Sequence, residues 1–240
     1  MKNILLVLSI SCLFLTSCDT GGKRVRGNGN IITTERTVSS FSEVELYGNI
    51  DVYIMQGDLQ PVRLEGDDNL LPYIEISQEK DKLIIRNRKG FDLSPSKDLK
   101  AYVTAPVFKD ISVSGASDII GENKISNNDH LRLHVSGAGD INMEVDVPEV
   151  KAEISGSGSV NLKGQTKDFD LDLSGAGIAH CYDLISENTE VDISGAGDAE
   201  VYASVGLNAE VSGAGTVRYK GKVQNIKQHV SGAGSIRSAD

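Results

Sequence analysis

One short motif recurs through the second half of the chain and leaves few folds open to it. Copies begin at Ser114 (Ser-Gly-Ala-Ser), Ser155 (Ser-Gly-Ser-Gly), and Ser136, Ser174, Ser194, Ser212 and Ser231 (all Ser-Gly-Ala-Gly). The intervals between starts are 22, 19, 19, 20, 18 and 19 residues. The residue before each Ser is aliphatic: Val113, Val135, Ile154, Leu173, Ile193, Val211 and Val230. Two residues earlier the side chain is again apolar at Ile111, Leu133, Ala152, Leu171, Val191 and Ala209, and only Gln228 breaks the column. Apolar residues alternating with polar ones mark a strand with one buried face. Past the glycine corner the alternation resumes at Ile119, Ile141, Val160, Ala179, Ala199, Val217 and Ile236. A second column follows at Met143, Leu162, Cys181, Val201 and Tyr219.

A unit of strand, tight corner, strand and short loop in about 19 residues is one coil of a solenoid. No segment sustains a 3.6-residue period, so helices have no place in it. Equivalent strands would stack in parallel at about 4.8 Å, carrying seven corners over roughly 30 Å. A sandwich or barrel of hairpins is the alternative, but an identical corner in every unit fits stacking better. The expected fold is all-β, a parallel β-helix. The unusual glycine content has the same origin: 13 of the 25 Gly sit inside the seven copies.

The first half reads as the same architecture with a less regular sequence. Residues 44–54 alternate through a glycine corner at Gly48. Residues 73–76 and 83–88 flank Glu79-Lys80-Asp81-Lys82 as a hairpin, placed as a decoration at about 69–97, with Phe91 to Lys97 as a loop. Residues 30–240 are expected to form one domain.

The start of the chain is for targeting. Lys2 gives a basic start and residues 4–15 form an almost unbroken apolar run, the length of a signal-peptide core and too short to span a bilayer. Leu15-Thr16-Ser17-Cys18 resembles a bacterial lipobox, which implies a signal peptide at 1–17 and diacylation of Cys18. The anchor would be the membrane, with localisation in the cell envelope at the outer membrane. Two acyl chains give stable anchoring where one is marginal. The polar residues 18–29 read as a flexible tether. Of three Cys, only Cys181 then remains in the folded part, so no internal disulfide forms. Loss of Lys2 leaves 23 basic and 34 acidic residues. That balance disfavours nucleic acid as a partner.

Phe41-Ser42-Glu43-Val44, then Gly48-Asn49-Ile50-Asp51-Val52, Gln56-Gly57, Asn69-Leu70-Leu71, residues 99–106 and the serial Ser-Gly-Ala-Gly corners together resemble the DUF2807 family, the head GIN domain of auto-transporter adhesins. The resemblance spans roughly residues 38–225. It implies a right-handed β-helix at the cell envelope and supplies no catalytic residues. No membrane-barrel segment is visible, and a lipid anchor takes its place.

Strand alternation places Ser112, His134, Glu153, Asp172, Asp192, Glu210 and His229 outward in one column, beside Asp110, Arg132, Lys151, Asp170, Glu190, Asn208 and Lys227. Glu153, Asp170, Asp172, Glu190, Asp192 and Glu210 therefore share a face, as a loose cation site or an acidic contact face, or as a solvated face that keeps the solenoid soluble. Tyr182 and Tyr202 occupy equivalent outward positions, as a sugar-stacking pair or a ladder that supports the stack. The motif serines have no recurring His and Asp beside them and read as structural. Neither a metal centre nor a cofactor is expected, and no enzyme is expected. The expected function is an envelope adhesin or binding module for a surface polysaccharide or protein. A self-assembling structural module is the alternative, and a polysaccharide-active enzyme a distant third. With no capping helix after Ser231, the last coil is expected to be polar and to support weak self-association.

Overall fold

The computed structural model describes residues 22–240; the expected signal peptide at 1–17 and Cys18 lie outside the described residues. The described residues are 69% strand and 1% helix, a β-solenoid of parallel coils. Two long faces alternate along it. Face A carries Asp110–Gly115, His130–Gly137, Glu149–Gly156, then 168–175 and 188–195, then Gly206–Gly213 and Asn225–Gly232, each paired in parallel with the next. Face B carries Ile119–Gly121, Asp140–Asp146, 159–163, 178–180, Asp198–Tyr202, Thr216–Lys220 and Ser235–Ser238.

Register is strict on face A because every coil repeats the same corner. Ser114, Ser136, Ser155, Ser174, Ser194, Ser212 and Ser231 pair in series, as do the glycines next to them in the chain. The inward columns are buried as their alternation requires: Leu133, Ala152, Leu171, Val191 and Ala209 are each 0% exposed. Large and small residues alternate loosely between neighbouring coils, which lets one continuous core fill at near-crystalline density.

The corner explains its own composition. Gly175 has φ +129°, and a Cβ there would lie 2.5 Å from the Gly156 carbonyl oxygen of the coil before. Gly177 faces inward, where a Cβ would lie 2.6 Å from Ile154 Cγ2. The first glycine is thus required by handedness of the backbone and by stacking, the second by core space. Ala176 between them is exposed. The first copy departs from the pattern at Ser117, which is buried. Its hydroxyl donates to Gly48 O at 2.8 Å and accepts from Ile50 N at 2.8 Å, tying the repeat to the corner beneath it.

The first half stacks, but out of chain order. Glu43–Gly48 lies between Asp110–Gly115 and Lys82–Asn87, parallel to both. Ile50–Gln56 likewise lies between Ile119–Gly121 and Leu99–Ala105. The hairpin is therefore more than a decoration. Its second strand, Lys82–Asn87, extends face A, and its first, Ile74–Glu79, closes that end as an antiparallel edge. Val62–Asp67 and Ile31–Arg36 close face B in the same way, also antiparallel.

Two further expectations need correction. Phe91–Ser94 is a strand, not a loop, and it pairs in parallel with Lys23–Arg26, inside the stretch read as tether. Asp67 ties the segments on either side of this small sheet together. Its carboxylate is fully buried and accepts from Gly29 N at 2.6 Å, Ser96 N at 2.9 Å and Ser96 Oγ at 2.7 Å. Burial alone would raise its pKa, but these hydrogen bonds outweigh burial and hold it below the usual carboxylate value. Asn28 and Asn30 both donate to Asp68. The chain is thus held from Lys23 onward.

Candidate functional site

Face A brings the sequence-derived acidic residues together. Ser112, His134, Glu153, Asp172, Asp192, Glu210 and His229 pair residue for residue across seven coils. Asp170 pairs with Glu190 in the neighbouring column. Like charges stacked in a parallel ladder repel, and the chain relieves this unevenly. At one end Lys151 Nζ lies 2.9 Å from Asp172, 3.3 Å from Asp170 and 3.4 Å from Glu153. The hydrogen bond to Asp172 raises the Lys151 pKa, outweighing partial burial. His134 Nδ1 lies 3.0 Å from Glu153, and Asn208 Nδ2 donates to Glu190 Oε1 at 3.0 Å.

Asp192 sits in the middle of the column with no cationic side chain within salt-bridge distance among the described residues. Partial burial raises its pKa, and Asp172 and Glu210 above and below push it further the same way. Asp170 is raised too, by burial first, with Lys151 opposing. At the start of these strands a shallow groove of about 440 Å³ is lined by Glu149, Asp168, Asp170 and Glu190, by Lys227, and by the apolar Phe169 and Leu207. The described residues hold no group of three or more metal-ligating side chains arranged to take an ion. The face presents a row of carboxylates in register.

The corner aspartates have a different task. Asp51 accepts from Asp118 N at 3.2 Å, Asp118 from Asp140 N at 3.2 Å, and Asp140 from Ser159 N at 2.8 Å and Ser159 Oγ at 2.7 Å. Each carboxylate caps an amide of the next coil, a structural role.

Tyr182 and Tyr202 do not stack on one another. Lys220 Nζ lies 4.3 Å from the Tyr182 ring centroid, where a ligand ring would have to sit, and Tyr202 pairs with Lys220 in register. The ladder slips between Asn161 and Lys163, so the coil holding Tyr182 carries an extra residue at that point. Cys181 beside it is buried and its thiol is pushed up to about 12 by desolvation, so it is inert. The aromatic stack on face B is elsewhere: Tyr53 and Tyr102, 5.0 Å apart and 21° from parallel, with the Arg63 guanidinium 3.5 Å over Tyr102. Sequence reading missed it because residues 50–56 and 99–105 are neighbours only through the out-of-order stacking. Higher on the same face, Asn142, Glu144, Asn161, Lys163, His180 and Asp183 line a groove of about 470 Å³.

The family model described as "Putative auto-transporter adhesin, head GIN domain", DUF2807, matches residues 40–223. The chain belongs to this family. Among solved structures, a "putative adhesin" of Bacteroides fragilis aligns with TM-score 0.83 at 23% identity, over 89% of this chain and 99% of that one. A "putative lipid binding protein" of Parabacteroides distasonis aligns with TM-score 0.76 at 23% identity, over 91% and 100%. A "putative adhesin" of Parabacteroides merdae gives 0.69 at 22% identity, over 91% and 100%. At such identities these DUF2807-like structures establish the solenoid and no more. No curated protein matches. The family and these neighbours carry adhesin names or, in one case, a lipid-binding name, and none of these is an enzyme name. No helix among the described residues is long and apolar enough to cross a membrane.

Proposed function

We propose that this DUF2807 protein is a lipid-anchored adhesin or binding module of the cell envelope. Cys18 is its anchor, and the flat faces of its solenoid contact a surface polysaccharide or protein. The observation that carries this reading is the in-register acidic column of face A. Its central member, Asp192, has only carboxylates above and below it. The repulsion destabilises the fold, and a partner with ammonium or guanidinium groups on a matching flat surface would relieve it. The family name and the lipobox support the placement at the envelope.

The anchor is tested by mass spectrometry of the mature chain together with fractionation. The mature N-terminus should be acylated Cys18, and Cys18→Ala should leave the protein unprocessed or in the soluble fraction. An unmodified Cys18 in membrane-associated protein would refute the anchor.

A self-assembling module is the second reading. It is favoured by Asn225–Gly232, which is exposed on both faces, with Ile226 45% and Val230 41% exposed. Sedimentation should then show dimers that Val230→Lys abolishes; a monomer at high micromolar concentration would exclude it.

A further inference from the structure

The strand at Lys23–Arg26 changes how an anchored chain would stand on its membrane. Only five peptide steps separate Cys18 from Lys23. Fully extended they reach at most about 18 Å. Lys23 itself is fixed: its amide donates to Gly90 O at 2.7 Å, and its strand runs beside Phe91–Ser94. This small sheet belongs to the corner of the outermost coil, between Lys82–Asn87 on face A and Leu99–Ala105 on face B. It is tied to the next corner by Asn49 Nδ2 donating to Leu93 O at 3.0 Å.

The end of the solenoid next to Cys18 is basic. Residues 22–26 and 88–98 carry Lys23, Arg24, Arg26, Arg88, Lys89 and Lys97, all exposed, against Asp92 and Asp98. Arg24 pairs with Asp92 at 3.3 Å and Arg88 with Glu75 at 3.4 Å, which leaves Lys23, Arg26, Lys89 and Lys97 for an outside anion. Residues 101–215 carry 6 basic and 19 acidic residues, and residues 216–240 carry 5 basic and 1 acidic. A basic cluster next to a lipid anchor gains about 1 kcal/mol per Lys or Arg at an anionic surface, whereas the acidic body is repelled by it. Both ends are basic, so the short tether from Cys18 decides which of them meets the membrane.

We propose that the sheet formed by Lys23–Arg26 and Phe91–Ser94, with its flanking Arg88, Lys89 and Lys97, is a docking surface for anionic lipid headgroups that holds the N-terminal end of the solenoid on the membrane and projects the later coils away from it. This rests on the anchor at Cys18 and adds an orientation to it. Face A is nine parallel strands deep from Lys82–Asn87 to Asn225–Gly232. The far coil then stands about 38 Å above the near one, well beyond the roughly 10 Å over which surface charge acts.

Site-specific quenching tests it on the full lipidated chain. Cys181 is buried and Cys18 acylated, so Lys89→Cys or Lys222→Cys offers one reactive thiol for a fluorophore. The labelled proteins are reconstituted into phosphatidylcholine vesicles, with or without phosphatidylglycerol, that carry a headgroup-attached quencher. The label at 89 should be quenched several-fold more than the label at 222. The contrast should shrink without phosphatidylglycerol, or when Lys23, Arg24 and Lys97 are changed to Glu. Equal quenching at both positions on vesicle-bound protein would overturn the orientation, and contrast indifferent to phosphatidylglycerol would overturn the headgroup contact. Chain absent from the vesicle fraction would instead overturn the anchor on which both rest.

Discussion

At the scale of single residues, the corner glycines and Asp67 carry consequences that differ in kind. Gly175→Ala sets a Cβ against the Gly156 carbonyl in a backbone conformation L side chains avoid. It should cost about 3 kcal/mol, whereas Ala176→Ser, exposed in the same corner, should stay within about 0.5 kcal/mol. Thermal melts of the two variants check this. Asp67 sits below the ordinary carboxylate pKa when folded. The folded state therefore binds fewer protons there than the unfolded chain. Its contribution is complete above the unfolded value of about 4 and is lost as pH falls through the lower folded value. Asp192, held above its ordinary value, behaves oppositely: it costs stability once ionised, and that cost fades as the solution is acidified. Urea titrations across the acid range should show Asp67→Asn losing about 2 kcal/mol at neutral pH and converging with wild type in acid. Asp192→Asn should be neutral or stabilising at neutral pH, with its difference also vanishing in acid.

At the scale of elements, the strand phase was legible wherever the motif repeats. Val191 and Ile193 are buried, and Asp192 between them faces out. Ile193→Ala should cost roughly 2–5 kcal/mol by leaving a cavity fixed from both sides, while Asp192→Ala should change stability by no more than about 0.5 kcal/mol unless it stabilises. Equal losses in denaturant melts would mean the phase is inverted. The acidic columns were legible for the same reason, since a parallel register copies each position onto the next coil. The illegible parts share a common cause. A strand edge accepts any partner of matching length, so nothing local states that residues 43–48 stack between 82–87 and 110–115. The Tyr53–Tyr102 stack depended on that order and was missed. The slip after Asn161 shows in the motif spacing only as the 20-residue interval from Ser174 to Ser194, which does not say where in the coil the extra residue sits. The strand at Lys23–Arg26 was hidden by its charge: it is half of a two-stranded sheet at a corner, with only Val25 turned toward the core, too short for a periodic signal.

At the scale of the whole molecule, the solenoid spreads along one axis features that a globular domain would mix. Its N-terminal end is closed by antiparallel strands, its corners are tied by aspartate and serine caps, and its middle coils present carboxylates in register on a flat face. Basic clusters lie at the end nearest Cys18 and at the far coil, the acidic surplus in the middle. Neutralising the middle should thus alter what the protein binds without altering how it folds or where it is placed. Cells bearing the wild-type protein or the isosteric variant Asp172→Asn, Asp192→Asn, Glu210→Gln would be compared for attachment to a cationic polymer surface and to glycan or protein layers, at equal surface amounts and with melting temperatures recorded. The account predicts unchanged surface amount, a melting temperature equal or higher, and attachment reduced several-fold. Attachment equal to wild type on every surface would contradict face A as the contact face.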